Sequence, residues 1–405
     1  MIAAGEPMPE WKRRAESHSA SPGRMRVLTA PAPRSSLLMP ARLEVAADID
    51  QGLAMPRPMA GPASIPIPLR GRRLADVTSI LYIGGTGTIS AACVRRSVAL
   101  GHQVTVLNRG GARRPLPPEV TILQADVRDA GAVRAALGER RFDVVAEFLA
   151  FTPEHIRTDL DLFEGRTGQY VFISSASAYE KPPRRLPVTE STPLRNPFWQ
   201  YSRDKIACED VLVAAHRERG LPVTIIRPSH TYDERMIPTL GGWTDIARLR
   251  AGRPVIVHGD GTSLWTITHS DDFAVAFAGL LGNPEAIGEA FTITGSHAPS
   301  WNRIYGWLAD AAGVSSPDLV HVASDAIAAF APDLGPTLIG DKAHSMVFDN
   351  TKVTALVPDF RTTITFDEGA RRILAYYDDH PEEQVIDEGR DAVFDRIAAF
   401  ARSAG

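Results

Sequence analysis

Two cysteines and five lysines stand among 405 residues, and each scarcity excludes something. Cys93 and Cys208 fall in predicted helices without metal-ligand spacing, so both read as reduced packing residues, and neither a disulfide framework nor a metal site is expected. No apolar run reaches about 18 residues, the least that reads as a membrane span. An excess of one charge is missing too: 44 Lys and Arg face 48 Asp and Glu, a net charge near −4. Such a balance supplies no general attraction for nucleic acid or an anionic membrane. What remains, 44% hydrophobic and 23% charged, is the composition of a soluble globular protein with ample core, and the reduced cysteines read as cytoplasmic.

Residues 1–75 are rich in Pro, Ala and Arg, with stretches such as AMPRPMAGPASIPIPLRGRR, and carry no sustained helical or alternating period. They read as a disordered leader without the continuous apolar stretch of a signal peptide, and acidic residues argue against a transit peptide. Met25, Met55 and Met59, upstream of the first clear strand, keep a later start as an alternative.

From Thr78 the organisation changes. SILYIGG is a strand running into a glycine turn, residues 88–100 are helical, and HQVTVLNRG is a second strand ending at Asn108. VTILQAD, DVVAEFLA, QYVFISS and PVTIIRP are further short β-branched runs, with helical segments between most of them. Strands apolar along their whole length, alternating with helices, predict an α/β fold: a Rossmann-type doubly wound parallel sheet, nucleotide-binding in architecture. The expected Rossmann domain covers 76–230, continued by about 264–296. A smaller C-terminal substrate-binding region takes 231–263 and 297–405.

The first turn reads Gly84-Gly85-Thr86-Gly87-Thr88-Ile89, following a strand and opening a helix. Glycine there allows a tight backbone and lets a pyrophosphate approach the helix N-terminus, where free N–H groups and the dipole favour anions. Ser90 stands where a third glycine is usual, which predicts slightly looser helix-to-strand packing. At the end of the second strand, where NAD-specific proteins place a carboxylate on the adenosine ribose, this chain has Asn108-Arg109. No carboxylate there repels a 2′-phosphate. Arg109 could pair with that phosphate, stack on adenine, or stand as an exposed arginine at a loop start. The cofactor is therefore NAD or NADP, with NADP favoured. Asp126-Val127, after the third strand, lie where such folds contact adenine.

WQYSRDKIACED sets Tyr201 four residues ahead of Lys205 within one amphipathic helix, so the two share a face. A solvated helix face is the plain reading of that pair. With the glycine loop, the serine run FISSASAYE and Tyr-x-x-x-Lys in order, residues 78 to about 300 resemble the extended short-chain dehydrogenase/reductase superfamily, in its NAD-dependent epimerase/dehydratase branch. The resemblance implies catalytic roles for Ser175, Tyr201 and Lys205. A phenol of pKa near 10 is a poor base at neutral pH, so a neighbouring cation must favour phenolate. Lys205, one turn away, supplies it, and in the family this lysine also holds the nicotinamide ribose. Ser175 would orient the reacting oxygen, and Tyr201 would take or return the hydroxyl proton.

IIRPSHTYD resembles the family's Arg-Pro-x-x-x-Tyr segment, which contacts substrate and implies a substrate role for Tyr232. Ser177 and Trp265 are the other candidate substrate residues. HGDGTSLWTITHSDDFA matches the family at His269 and Asp272, with His269 read as a structural, hydrogen-bonded histidine. Ala176 and Ser177 replace the Asp-Glu pair of the 4,6-dehydratases, so dehydration is not expected. Trp265 stands where nucleotide-sugar epimerases carry a diphosphate-clamping arginine, which leaves two alternatives. Either Arg235 or Arg248 takes over the phosphates, or the substrate is not a nucleotide sugar. The implied function is an NAD(P)-dependent epimerase or oxidoreductase acting on a hydroxyl of a sugar-like substrate, and the resemblance also implies the homodimer common in the family. A ketoreductase of a small metabolite, or a non-catalytic NAD(P)-sensing or RNA-binding relative, are the alternatives.

Overall fold

The computed structural model describes residues 78–111 and 114–404, so the expected leader over 1–75 lies outside the described residues. The β-branched runs become strands β1 (Ser79–Ile83), β2 (Gln103–Asn108), β3 (Thr121–Gln124), β4 (Phe142–Glu147), β5 (Thr167–Ile173) and β6 (Val223–Pro228). Three short strands follow, β7 (His230–Tyr232), β8 (Val255–His258) and β9 (Ile267–His269), and then β10 (Ala290–Ile293). A single seven-stranded sheet runs in the order β10-β6-β5-β4-β1-β2-β3, and every neighbouring pair is parallel. From β1 the chain winds outward first to one side and then to the other, which opens a crevice at the carboxyl ends of β1 and β4.

Helices cover both faces, which is why the strands need no polar side. On one face α1 (Thr88–Ala99) packs its Ala92, Cys93 and Val94 against Tyr82, Val104 and Val106. On the other, α2 (Ala130–Leu137), α3 (Pro153–Phe163) and α4 (Gln200–Arg219) pack Val133, Leu160 and Leu212 against Leu81, Val145 and Phe172. Both cysteines are buried free thiols within these layers. β4 ends at Glu147, three residues before the sequence run does. Phe148 still donates its N–H to Ile83 O at 3.2 Å, but the chain then leaves the sheet at the mouth of the crevice.

The remaining elements gather beside the carboxyl ends of β5 and β6. Helices α5 (Trp243–Arg250), α6 (Ser270–Leu280), which lies on the sheet, and α7 (Trp301–Ala311) precede β11 (Leu319–Val322), which pairs in parallel with β8 and so joins the stretches 231–263 and 297–405. Trp243, Trp301, Tyr305 and Phe366 fill an aromatic-rich core there. Asp272, in the first turn of α6, ties this part to the sheet by accepting the Thr363 and Ile364 N–H groups at 3.0 and 2.9 Å.

Candidate active site

The loop after β1 has the shape a phosphate requires. Gly84 sits at φ +95°, and a Cβ on it would stand 2.6 Å from Leu149 Cγ. A Cβ on Gly85 would stand 2.6 Å from Val106 Cγ2, so neither position has room for a side chain. Thr86, Gly87, Thr88 and Ile89 carry the backbone into the N-terminus of α1, whose first-turn N–H groups have no intrahelical acceptor. The expectation of looser packing at Ser90 is corrected. Ser90 is 2% exposed, its Oγ accepts the Gly87 N–H at 2.8 Å and donates to Gly84 O at 3.3 Å, and it thereby staples the loop.

Farther along the carboxyl edge, Asn108 Oδ1 accepts the Gly110 N–H at 2.7 Å. The side chain of Arg109 is exposed and has no ion pair among the described residues. Asp126 is exposed at the end of β3, with one carboxylate oxygen accepting the Arg128 N–H at 2.9 Å, and Val127 is half-buried beside it. These residues fit an adenosine end, and the glycine loop fits its pyrophosphate.

Ser175, Tyr201 and Lys205 come from two elements that meet at the end of β5. Ser175 caps the short turn Ala176–Ala178, accepting the Ser177 N–H at 3.1 Å. A chain of hydroxyls joins it to α4: Ser202 Oγ donates to Ser177 Oγ at 2.8 Å, and Ser177 Oγ lies 2.9 Å from Ser175 Oγ. The ring of Tyr201 lies between those of Trp199 and Phe151, at centroid distances of 4.8 and 6.4 Å. Burial pushes its phenol up to about 12, while the neighbouring Ser175 hydroxyl pulls it the other way.

Lys205 is 2% exposed and donates to Ala150 O and Ile173 O, both at 2.7 Å. Its ammonium stands 5.9 Å from the Tyr201 ring, and burial lowers its pKa to about 8. Two of its three N–H bonds are thus satisfied by Ala150, in the loop after β4, and Ile173 at the end of β5, leaving one for a ribose hydroxyl.

Ser175, Ser177, Tyr201 and Trp265 line one cavity of about 240 Å³. Tyr232 does not join them, which corrects its expected substrate role. It is 1% exposed, its ring meets Phe366 and His269 edge-on at 5.1 Å, and Gly369 leaves space for it. From that segment Pro228, Ser229 and His230 reach the cavity instead.

The sequence reading missed His230, Asp341, Lys342 and Met346, which also line it. It also missed Arg227 and Glu209, a buried pair behind the site with Arg227 Nη2 2.5 Å from Glu209 Oε2. His269 accepts the Asp271 N–H on Nδ1 at 3.2 Å, so its Nε2 carries the proton and donates to Glu234 at 3.2 Å. That bond holds Glu234 down at about 2. The group Glu234, His269 and Asp271, the one metal-like cluster among the described residues, is accounted for by these hydrogen bonds.

Residues 80–294 match the NAD dependent epimerase/dehydratase family. The chain belongs to that family. It is 30% identical over 255 residues, 60% of this chain and 65% of the relative, to the chloroplast stem-loop binding protein of 41 kDa b from Arabidopsis thaliana. With the 2′-dehydrokanamycin reductase of Streptomyces kanamyceticus it shares 27% over 235 residues, 57% of this chain and 65% of that one. Each match thus spans less than two thirds of the relative. The dTDP-glucose 4,6-dehydratase of Bacillus anthracis, solved in complex with NAD, superposes with a TM-score of 0.61 at 19% identity, covering 76% of this chain and 98% of that one. At that identity the family member shares the fold.

Proposed function

We propose that the chain is an NAD(P)-dependent oxidoreductase or epimerase acting on a carbinol of a small, sugar-like substrate. The observation that carries this reading is that Ser175 and Tyr201 line one cavity while Lys205 stands behind it, its ammonium 5.9 Å from the Tyr201 ring. A nicotinamide bound there would take or return the hydride. Ser175 holds the reacting oxygen, Tyr201 takes its proton during oxidation and gives it back during reduction, and Lys205 stabilises the phenolate while holding a ribose hydroxyl.

Net ketoreduction is the second reading, favoured by the relative named as a reductase. The relative named as a stem-loop binding protein brings up the non-catalytic reading. A complete Ser-Tyr-Lys set, with Ser175 and Tyr201 on the cavity wall, supports catalysis over it. Thermal shift with NAD and NADP, followed by turnover of free sugars, ketones and nucleotide sugars, tests all three. Cofactor binding without turnover of any of these would remove the enzymatic reading.

The 2′-phosphate of NADP is assigned to Arg109, because Asn108 puts no carboxylate beside it. Arg109→Ala is expected to weaken NADP by about tenfold and NAD by less than twofold, the loss of one charge-assisted hydrogen bond. Calorimetric titration of both cofactors checks it. An unchanged affinity ratio would remove Arg109 from this role.

The cavity also bears on the phosphates of a nucleotide sugar. Trp265 occupies its wall, 3% exposed and 5.5 Å from the Trp301 ring. Arg235 is paired with Glu383 at 2.7 Å, and Arg248 with Asp391 and Asp395 at 2.6 and 2.9 Å. Neither arginine lines the cavity, whose volume falls below the usual range for drug-sized ligands. UDP, dTDP and GDP are therefore expected to bind no tighter than millimolar to the cofactor complex. Micromolar binding of any one, unaffected by Trp265→Ala, would restore the nucleotide-sugar reading.

A further inference from the structure

One wall of the cavity is a turn of π-helix, Leu338–Lys342, and two of its side chains, Asp341 and Lys342, reach the lining. The turn is pinned to the catalytic segment. Asn196 Nδ2 donates both to Ser177 O at 2.9 Å and to Gly340 O at 2.7 Å. A Cβ on Gly340 would stand 2.8 Å from Trp199 Cβ, so the turn closes against the residue whose ring packs beside Tyr201. Lys342 cannot drift from the site without breaking this contact.

The charges here do not cancel. Lys181, its side chain fully buried, lies 3.1 Å from Asp341 and neutralises it. Lys342 has no such partner among the described residues: its ammonium donates to the neutral Thr337 hydroxyl at 3.0 Å and lies 5.6 Å from the Trp265 ring. Two further polar atoms on the lining side chains, Trp265 Nε1 and His230 Nε2, are buried without a partner. Burial holds the His230 pKa at about 3, so its ring is neutral at pH 7 and can present an N–H. A half-buried cation without a counter-charge and buried donors without acceptors are costly unless a ligand completes them.

Composition points the same way. With 44 Lys and Arg of which only five are lysine, the chain uses arginine almost everywhere for its positive charge. Yet Lys181, Lys205 and Lys342 all stand in or against this site. A compact ammonium on a flexible stem suits a narrow cavity where a planar guanidinium does not fit.

We infer that the substrate is a small polyhydroxy acid, its carboxylate bound by Lys342 and its remaining oxygens met by the Trp265 and His230 nitrogens. The inference rests on the reading of this cavity as the active site. A singly charged carboxylate matches one ammonium among neutral donors, whereas a phosphate brings nearly twice the charge. An aminosugar would place a second cation against Lys342.

The experiment uses the full chain with NAD and NADP and compares kcat/KM for matched pairs, glucose with glucuronate and galactose with galacturonate. Glucosamine and glucose 6-phosphate serve as further arms. The acid is expected to exceed its neutral twin by at least about tenfold, the usual worth of a hydrogen bond to a charged group. Lys342→Met should bring the ratio near one, and Lys342→Arg, whose planar guanidinium does not fit, should not restore it. Equal or better use of the neutral sugar, or a ratio untouched by Lys342→Met, would overturn the inference and leave the oxidoreductase reading standing. Preference for the sugar phosphate or the aminosugar would overturn it likewise. Failure to oxidise any of them, with cofactor bound, would overturn the inference and leave the oxidoreductase reading to the ketones and nucleotide sugars. The wild-type ratio decides even if the methionine variant fails to fold.

Discussion

Tyr201→Phe is expected to lower turnover by about 10²- to 10⁴-fold, the usual worth of a positioned acid/base, while cofactor affinity stays within twofold of wild type. The phenol is on the cavity wall, its ring packed between Trp199 and Phe151, and Ser175 is the hydroxyl beside it. Phe keeps the ring, its packing and the helix, and removes only the oxygen. The cofactor loses little because the ribose contact is assigned to Lys205, held by Ala150 O and Ile173 O. Lys205→Ala should therefore behave differently, weakening cofactor binding and slowing turnover together. Steady-state kinetics and calorimetry on both variants separate the two roles. Retention of a tenth of wild-type activity in Tyr201→Phe would remove it as the acid/base.

The parts of this site that follow from local pattern were legible in the sequence. β-Branched runs buried on both faces became the parallel sheet, and the glycine cluster fell at a strand-to-helix turn. Tyr201 and Lys205 came together on one face of the helix because four residues make about one helical turn. What was not legible depends on partners far along the chain. Tyr232 sits in the expected segment, but Phe366 and a gap over Gly369 claim its ring. Ser90 looked like a missing glycine because its hydrogen bonds to Gly87 and Gly84 are invisible in a spacing pattern.

Asp341 and Lys342 lie well over a hundred residues beyond Ser175, where the resemblance to the family thins, and a π-turn has no periodic signature. One signal did exist. In a chain so poor in lysine, each lysine marks a place where arginine was not used, and Lys342 could have been singled out on that ground.

The second large effect is expected at Arg227, which the sequence reading did not single out and which braces the catalytic helix. Arg227 is 6% exposed at the end of β6, and Glu209 is 2% exposed on α4, one turn beyond Lys205. The guanidinium meets both carboxylate oxygens, at 3.0 and 2.5 Å, and donates its remaining Nη1 to the Tyr179 phenol at 3.1 Å. Ser174 adds a hydrogen bond to the same carboxylate. A pair buried in this way contributes little net stability against an apolar replacement, but breaking it strands a charge.

Arg227→Met should therefore cost about 3–5 kcal/mol in unfolding free energy. Adding Glu209→Gln, which removes the stranded charge, should recover a substantial part of that loss. The comparison matters more than either single value, because a mere cavity or lost packing contact would make the two substitutions additive. Urea denaturation of the two single variants and the double variant measures it. If the double variant is no more stable than Arg227→Met alone, the pair is not what holds α4, and with it Lys205 and Tyr201, against the end of the sheet.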